Sequence, residues 1–219
     1  MPFSPLRLLV MVLIFGLLLT FVQIGLLTIA FAKLGLSPES AVTLLLCALF
    51  GSLINLPVMR IQAEAPADDA PPPWPGLLRG PVQPFTGTTL IAVNVGGCII
   101  PVLFSLHLMY QIELPPAEVL LAVAAVTGMA YGFSRPIPRL GVVMPMFIAP
   151  LTAALAAVLI NVEHGAALAY ISGTLGVLIG ADLLRLPDIR KLGAPIASLG
   201  GAGTFDGIFI TGIVAALLA

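Results

Sequence analysis

From residue 8 to residue 32 the chain carries no charged side chain, and similar stretches recur to its end, broken by scattered charges and one polar insert. At 1.5 Å per residue in a helix, the first run reaches across the roughly 30 Å of a bilayer's hydrocarbon. Its small-x-small triplet Ala30-Phe31-Ala32 is of the kind a signal peptidase cuts. The run is nevertheless longer than the roughly 7 to 15 apolar residues of a secretory signal, so it reads as a retained first helix. Hydrophobic residues make up 59% of the chain and charged residues 9%, against about 45–50% and 25% in soluble domains. The expected fold class is therefore all-α, a single membrane domain of about seven transmembrane helices.

Seven apolar segments carry that expectation, at about 8–32, 40–59, 87–109, 117–133, 140–160, 165–184 and 196–219. One polar insert separates the second from the third, at about 60–86, with Pro71-Pro72-Pro73-Trp74-Pro75 near its middle. Proline at that density forbids a continuous helix and favours an extended cytoplasmic loop. Threading the chain through seven spans places Arg7, Arg60, Arg79, Arg135, Arg139, Arg185, Arg190 and Lys191 on one side and Lys33 alone on the other. That bias puts the N-terminus in the cytoplasm, the C-terminus outside and the protein in the cell inner membrane, multi-pass. A net charge of −1 without basic runs sets nucleic acid aside as a partner and leaves the lipid bilayer. Cys47 and Cys98 both fall in apolar runs and read as packed thiols. No cofactor signature is present, and two isolated histidines, His107 and His164, do not make a zinc site.

Acids in such a chain need a reason, and two stand out. Asp182 ends segment six, three residues before Arg185, a spacing that places both on one helix face as an interfacial pair. Asp206 enters segment seven after Gly200-Gly201-Ala202-Gly203-Thr204-Phe205, and no Lys or Arg follows it. If that helix starts at Thr204, Asp206 lies in its first turn, where the helix dipole favours an anion. If it starts after Pro195, Asp206 is about 15 Å along the helix and capping does not explain it. Both acids belong to the cytoplasmic half. Two carboxylates at one depth on adjacent antiparallel helices can share a proton, one activating water and the other polarising a carbonyl. Gly201, Gly203 and Gly207 would let a substrate backbone approach. Gly173, Gly176 and Gly180 on segment six have the spacing that packs one membrane helix tightly on the next, here segment seven.

The stretch Gly201-Ala202-Gly203-Thr204-Phe205-Asp206-Gly207, entering a final helix after an aspartate-bearing one, resembles the GxGD intramembrane aspartyl proteases: presenilin, signal peptide peptidase and prepilin peptidase. The resemblance covers the last quarter of the chain. It implies Asp182 and Asp206 as the catalytic pair and a transmembrane helical substrate. The sequence departs from that pattern where Thr204 and Phe205 separate Gly203 from the acid, where Ala181 precedes the first acid, in its helix count, and in lacking a Pro-Ala-Leu motif after Asp206. The chain as a whole resembles an uncharacterised family of prokaryotic integral membrane proteins. A second element, Asn94-Val95-Gly96-Gly97-Cys98-Ile99-Ile100-Pro101, interrupts segment three. Broken helices of this kind build substrate sites in transporters, with Asn94 as a binding residue and the aspartates as proton or cation carriers. A non-catalytic membrane scaffold is the third alternative.

Overall fold

A computed structural model describes residues 16, 23–64, 87–137, 141–201 and 207–219. The order of elements is α1 (Gln23–Lys33), α2 (Pro38–Gly51), β1 (Asn55–Gln62), β2 (Thr88–Asn94), a π turn (Val95–Ile99) continuing as α3 (Ile100–Ile112), α4 (Pro116–Phe133), β3 (Arg135–Ile137) and β4 (Gly141–Val143). There follow α5 (Ile148–Ile160), α6 (Gly165–Val177) continuing as a second π turn (Leu178–Leu183), α7 (Leu186–Ile189), β5 (Ile196–Leu199) and α8 (Gly207–Leu218). The protein is mostly helical. Three stretches, Val95–Ile112, Pro116–Phe133 and Gly165–Leu183, are long and apolar enough to cross a membrane. α1 and α2 make a fourth if counted together, although they meet at a bend of 110°.

Each of the seven apolar segments contains a helix, but four of the helices are shorter than expected because the chain changes structure inside the segment. Segment two ends as helix at Gly51 and turns into β1. Pro57 cannot continue a helix, and on an edge strand its missing N–H removes no ladder bond. Segment three opens as β2, whose Thr88-Thr89-Leu90-Ile91-Ala92-Val93 is rich in β-branched residues, and becomes helical only after Asn94. Segment five is broken at Pro145, leaving β4 ahead of a 13-residue α5. Segment seven opens as β5, leaving 12 residues for α8. At about 20 Å and 18 Å, α5 and α8 fall short of the hydrocarbon thickness. The all-α expectation is thus corrected by a three-stranded sheet in the order β1-β2-β5, antiparallel between β1 and β2 and parallel between β2 and β5. β3 and β4 form a separate antiparallel pair. Of the polar insert, residues 65–86 lie outside the described set, but its first residues continue β1 rather than a loop.

The sheet caps one end of a helical bundle centred on α6. Along Gly165–Leu183, 72% of the residues are buried, against 33% and 22% for the other two long stretches. Tyr170 sits in its first third, fully buried and edge-on to Phe104 of α3 at 5.0 Å between ring centroids. The small residues of α6 serve two neighbours rather than one. Gly173 faces Ala153 of α5 and Thr211 and Ala215 of α8, whereas Gly176 and Gly180 face Val126, Thr127 and Ala130 of α4. At the end away from the sheet, Lys33 donates to the Leu217 carbonyl at 3.0 Å and so caps the last turn of α8.

A methyl group added at Gly176 would lie 2.6 Å from Val126 Cβ. Gly176→Ala is expected to destabilise the protein by about 1–3 kcal/mol through overpacking, read as a lower unfolding midpoint in detergent. Gly128→Ala on the open side of α4, where nothing lies within 4 Å of the new carbon, is the control and should leave the midpoint unchanged or slightly raised.

Candidate functional site

The site forms where the two π turns meet the end of β5. Asp182 lies in the second of them, Leu178–Leu183. Widening the helix there shifts the phase of every following side chain, and π turns of this kind recur at functional sites. The half-buried Asp182 carboxylate accepts the N–H of Gly200 at 2.8 Å. Gly200 has φ +72°, a conformation that favours glycine. A Cβ there would also come within 2.7 Å of Cys98 Cβ and 2.8 Å of the Gly97 carbonyl. Gly200 is therefore wedged against the first π turn while its N–H is bound to the second.

The expected pairing of Asp182 with Arg185 is not formed. Arg185 turns instead to the end of α4, donating through Nη2 to the carbonyls of Tyr131 at 2.7 Å and Ser134 at 2.9 Å and through Nε to Ser134 Oγ at 3.2 Å. Its guanidinium also lies 4.2 Å from the Tyr131 ring centre and 3.2 Å from the Asp188 carboxylate. A planar, five-donor group is drawn to uncapped helix carbonyls and an aromatic face together, which one aspartate does not match.

Asn94 caps the first π turn, its Oδ1 accepting the Gly97 N–H at 2.8 Å. Its Nδ2 donates to the Ser52 carbonyl at 2.8 Å and to Asn55 Oδ1 at 3.1 Å, and Ser198 Oγ donates to the same Asn55 oxygen. Asn94 is thus buried and bound to groups of the protein on β1, the first π turn and the end of α2. Gly201 lies against it: a Cβ there would meet Ser198 Oγ at 2.8 Å and Asn94 Cβ at 3.0 Å. The structure therefore brings Asp182, Asn94 and Gly201 to one junction. Gly203 and Asp206 lie outside the described residues, and Gly207 is the first residue of α8. Among the described residues no group of three or more His, Cys, Asp and Glu is placed to hold a metal ion.

The family described as a protein of unknown function (DUF1614) matches residues 49–218. The chain belongs to that family. The match begins near the end of α2 and runs to the last turn of α8, so every part of the junction lies within the DUF1614 region. No curated protein and no solved structure matches the chain.

Several residues of the DUF1614 junction have no counterpart in the sequence reading: Gly200 as the partner of Asp182, Asn55 and Ser198 as the link between strands, and Cys98 beside Gly200. The signal for the first π turn was present in Asn94-Val95-Gly96-Gly97, an amide three residues ahead of a free N–H after a β-branched run. Asp182→Ala removes the acceptor for Gly200 and should lower stability by about 1–3 kcal/mol. Asp182→Asn keeps an oxygen in place and should unfold close to wild type. Chemical denaturation of the purified protein in one detergent compares them directly.

Proposed function

We propose that this DUF1614 protein is a seven-helix, multi-pass inner-membrane aspartyl hydrolase of the GxGD kind, in which Asp182 and Asp206 act together on a transmembrane helical substrate. The observation that carries the reading is the bond from the Gly200 N–H to the Asp182 carboxylate. It ties the first acid to the glycine turn from which the chain proceeds, six residues on, to the second. In this reading one carboxylate takes a proton from water as it attacks the scissile carbonyl, and the other, protonated, donates to the carbonyl oxygen. In the same reading Gly203 and Gly207, which bring no side chain beside Asp206, let a substrate backbone approach, whereas Gly201 is taken up by packing on Asn94 and Ser198. Further support comes from β5, which among the described residues is an end strand of its sheet directly before the turn, since an extended chain adds to such an edge through main-chain hydrogen bonds.

The sheet end faces the cytoplasm in this proposal, because the described cations Arg60, Arg135, Arg185, Arg190 and Lys191 lie there and Lys33 lies at the other end. A second reading, a proton- or cation-coupled transporter, draws on the break at Val95–Ile99. It asks Asn94 to bind substrate with an amide already bonded on both sides.

Purified protein in detergent or nanodiscs is expected to cleave a helical membrane peptide with a bell-shaped pH dependence. Asp182→Asn and Asp206→Asn should each reduce the rate by about 100-fold or more with unchanged unfolding midpoints. Cleavage that survives both substitutions sinks the proposal. Proton-coupled solute uptake into liposomes that depends on Asp206 would favour the transporter.

A further inference from the structure

The outer edge of β1 faces a physical difficulty. Among the described residues it is the end strand of its sheet, and its residues from Asn55 to Arg60 are exposed, including Leu56, Val58 and Met59. Leu53 and Ile54, which lead into it, are 79% and 51% exposed. So much apolar surface calls for lipid, yet an open strand edge does not lie within hydrocarbon, where its N–H and C=O groups would find no partner. The depth that satisfies both demands is the interfacial layer, with the apolar side chains reaching the acyl boundary and the strand edge level with the headgroups.

The charges at that level are lopsided. Among the described residues, the sheet end carries Arg60, Arg135, Arg185, Arg190 and Lys191 against Glu64, Asp182 and Asp188. The opposite end carries Lys33 against Glu39, Glu113, Glu118 and Glu163. Two of the basic groups at the sheet end have local partners: Arg185 is held by α4 and Asp188, and Lys191 lies loosely at 3.9 Å from Asp188. Arg60 and Arg190 are exposed and form no ion pair among the described residues. They flank one stretch of edge. The Glu64 N–H donates to the Arg190 carbonyl at 2.8 Å, which sets Arg190 and Lys191 just past the end of β1, at a position four residues beyond Arg60. Four residues of extended chain span about 13 Å.

We propose that β1 is an interfacial shelf for anionic phospholipid, with Arg60 near its last residues and Arg190 and Lys191 beyond its end binding the phosphates of headgroups in the leaflet at the sheet end. The shelf rests on the membrane reading of the chain and not on any catalytic role. Its apolar residues give it lipid rather than a soluble anion as occupant, because Leu56, Val58 and Met59 need acyl chains beside the phosphate.

The test uses the full chain in nanodiscs of mixed phosphatidylcholine and phosphatidylglycerol, with the lipids retained on release read by native mass spectrometry. The wild type should retain phosphatidylglycerol in preference to phosphatidylcholine, and the preference should fall as salt is raised before release. A surface cation is worth about fivefold in affinity for an anionic leaflet, so Arg60→Gln should lose about that factor. The triple variant Arg60→Gln, Arg190→Gln, Lys191→Gln should lose on the order of 100-fold. Equal preference in the wild type and the triple variant overturns the shelf, as does equal protection from heat by inorganic phosphate in phosphatidylcholine discs, which would mark a soluble-anion site. Loss of the protein from native membranes on alkaline carbonate extraction would overturn the membrane reading itself.

Discussion

A backbone that leaves a helix near a bilayer uncovers amides that water no longer reaches, and each must find a partner within the protein or at the interface. At Asn94 and at Leu199 this chain leaves one kind of structure for another, and both changes happen on neighbouring strands of one sheet. The amide side chain of Asn94 accepts the N–H exposed at the first change, and the carboxylate of Asp182 accepts the N–H exposed at the second. Without those two acceptors the strands would feed directly into uncapped turns. The aspartate therefore has a structural task that is independent of any chemistry, and the same bond draws its helix to the glycine turn.

Composition and segment length made the helices legible, because a charge-free apolar run has few other ways to satisfy its backbone. Residues 117–133 and 165–184 were read almost to the residue, since no proline interrupts them and their ends coincide with a change of polarity. The sheet was hidden for the reason that makes membrane proteins easy to recognise. Thr88 to Val93 and Ile196 to Leu199 are as apolar as the helices they precede, so hydropathy ran straight through the junctions. Pro57 was the clearest local warning, placed where a spanning helix could not continue. Asp182 could be picked out from its cost in an apolar setting. Its partner could not, because a glycine N–H eighteen residues away leaves no mark in the sequence.

Glycines divide the work along α6. Gly173 admits α5 and α8 on one side, and Gly176 and Gly180 admit α4 on the other, so three neighbours approach one helix closely. Gly212 mirrors this from α8, where an added Cβ would meet Thr174 Oγ1 at 2.6 Å and the Tyr170 ring at 2.9 Å. Tight packing of this sort supplies the association that burial from water supplies in soluble proteins, and it holds Asp182 on a helix with little freedom to rotate. Arg185, by gripping the end of α4, fixes the same helix one turn further on.

The parallel pairing of β2 with β5 also dictates when the junction comes into being. The bond from Thr89 Oγ to the Ala194 carbonyl joins positions 105 apart in the chain, with α3, α4, α5 and α6 between them. A growing chain emerges N-terminal first, so β2 waits with one edge unsatisfied until all four helices have been delivered and β5 follows. The Asp182 carboxylate waits for its Gly200 partner over only the last eighteen residues of that interval. Assembly of the junction is in this sense a report that α3 to α6 have been delivered, and a chain that stalls before residue 196 leaves β2 with an open strand edge.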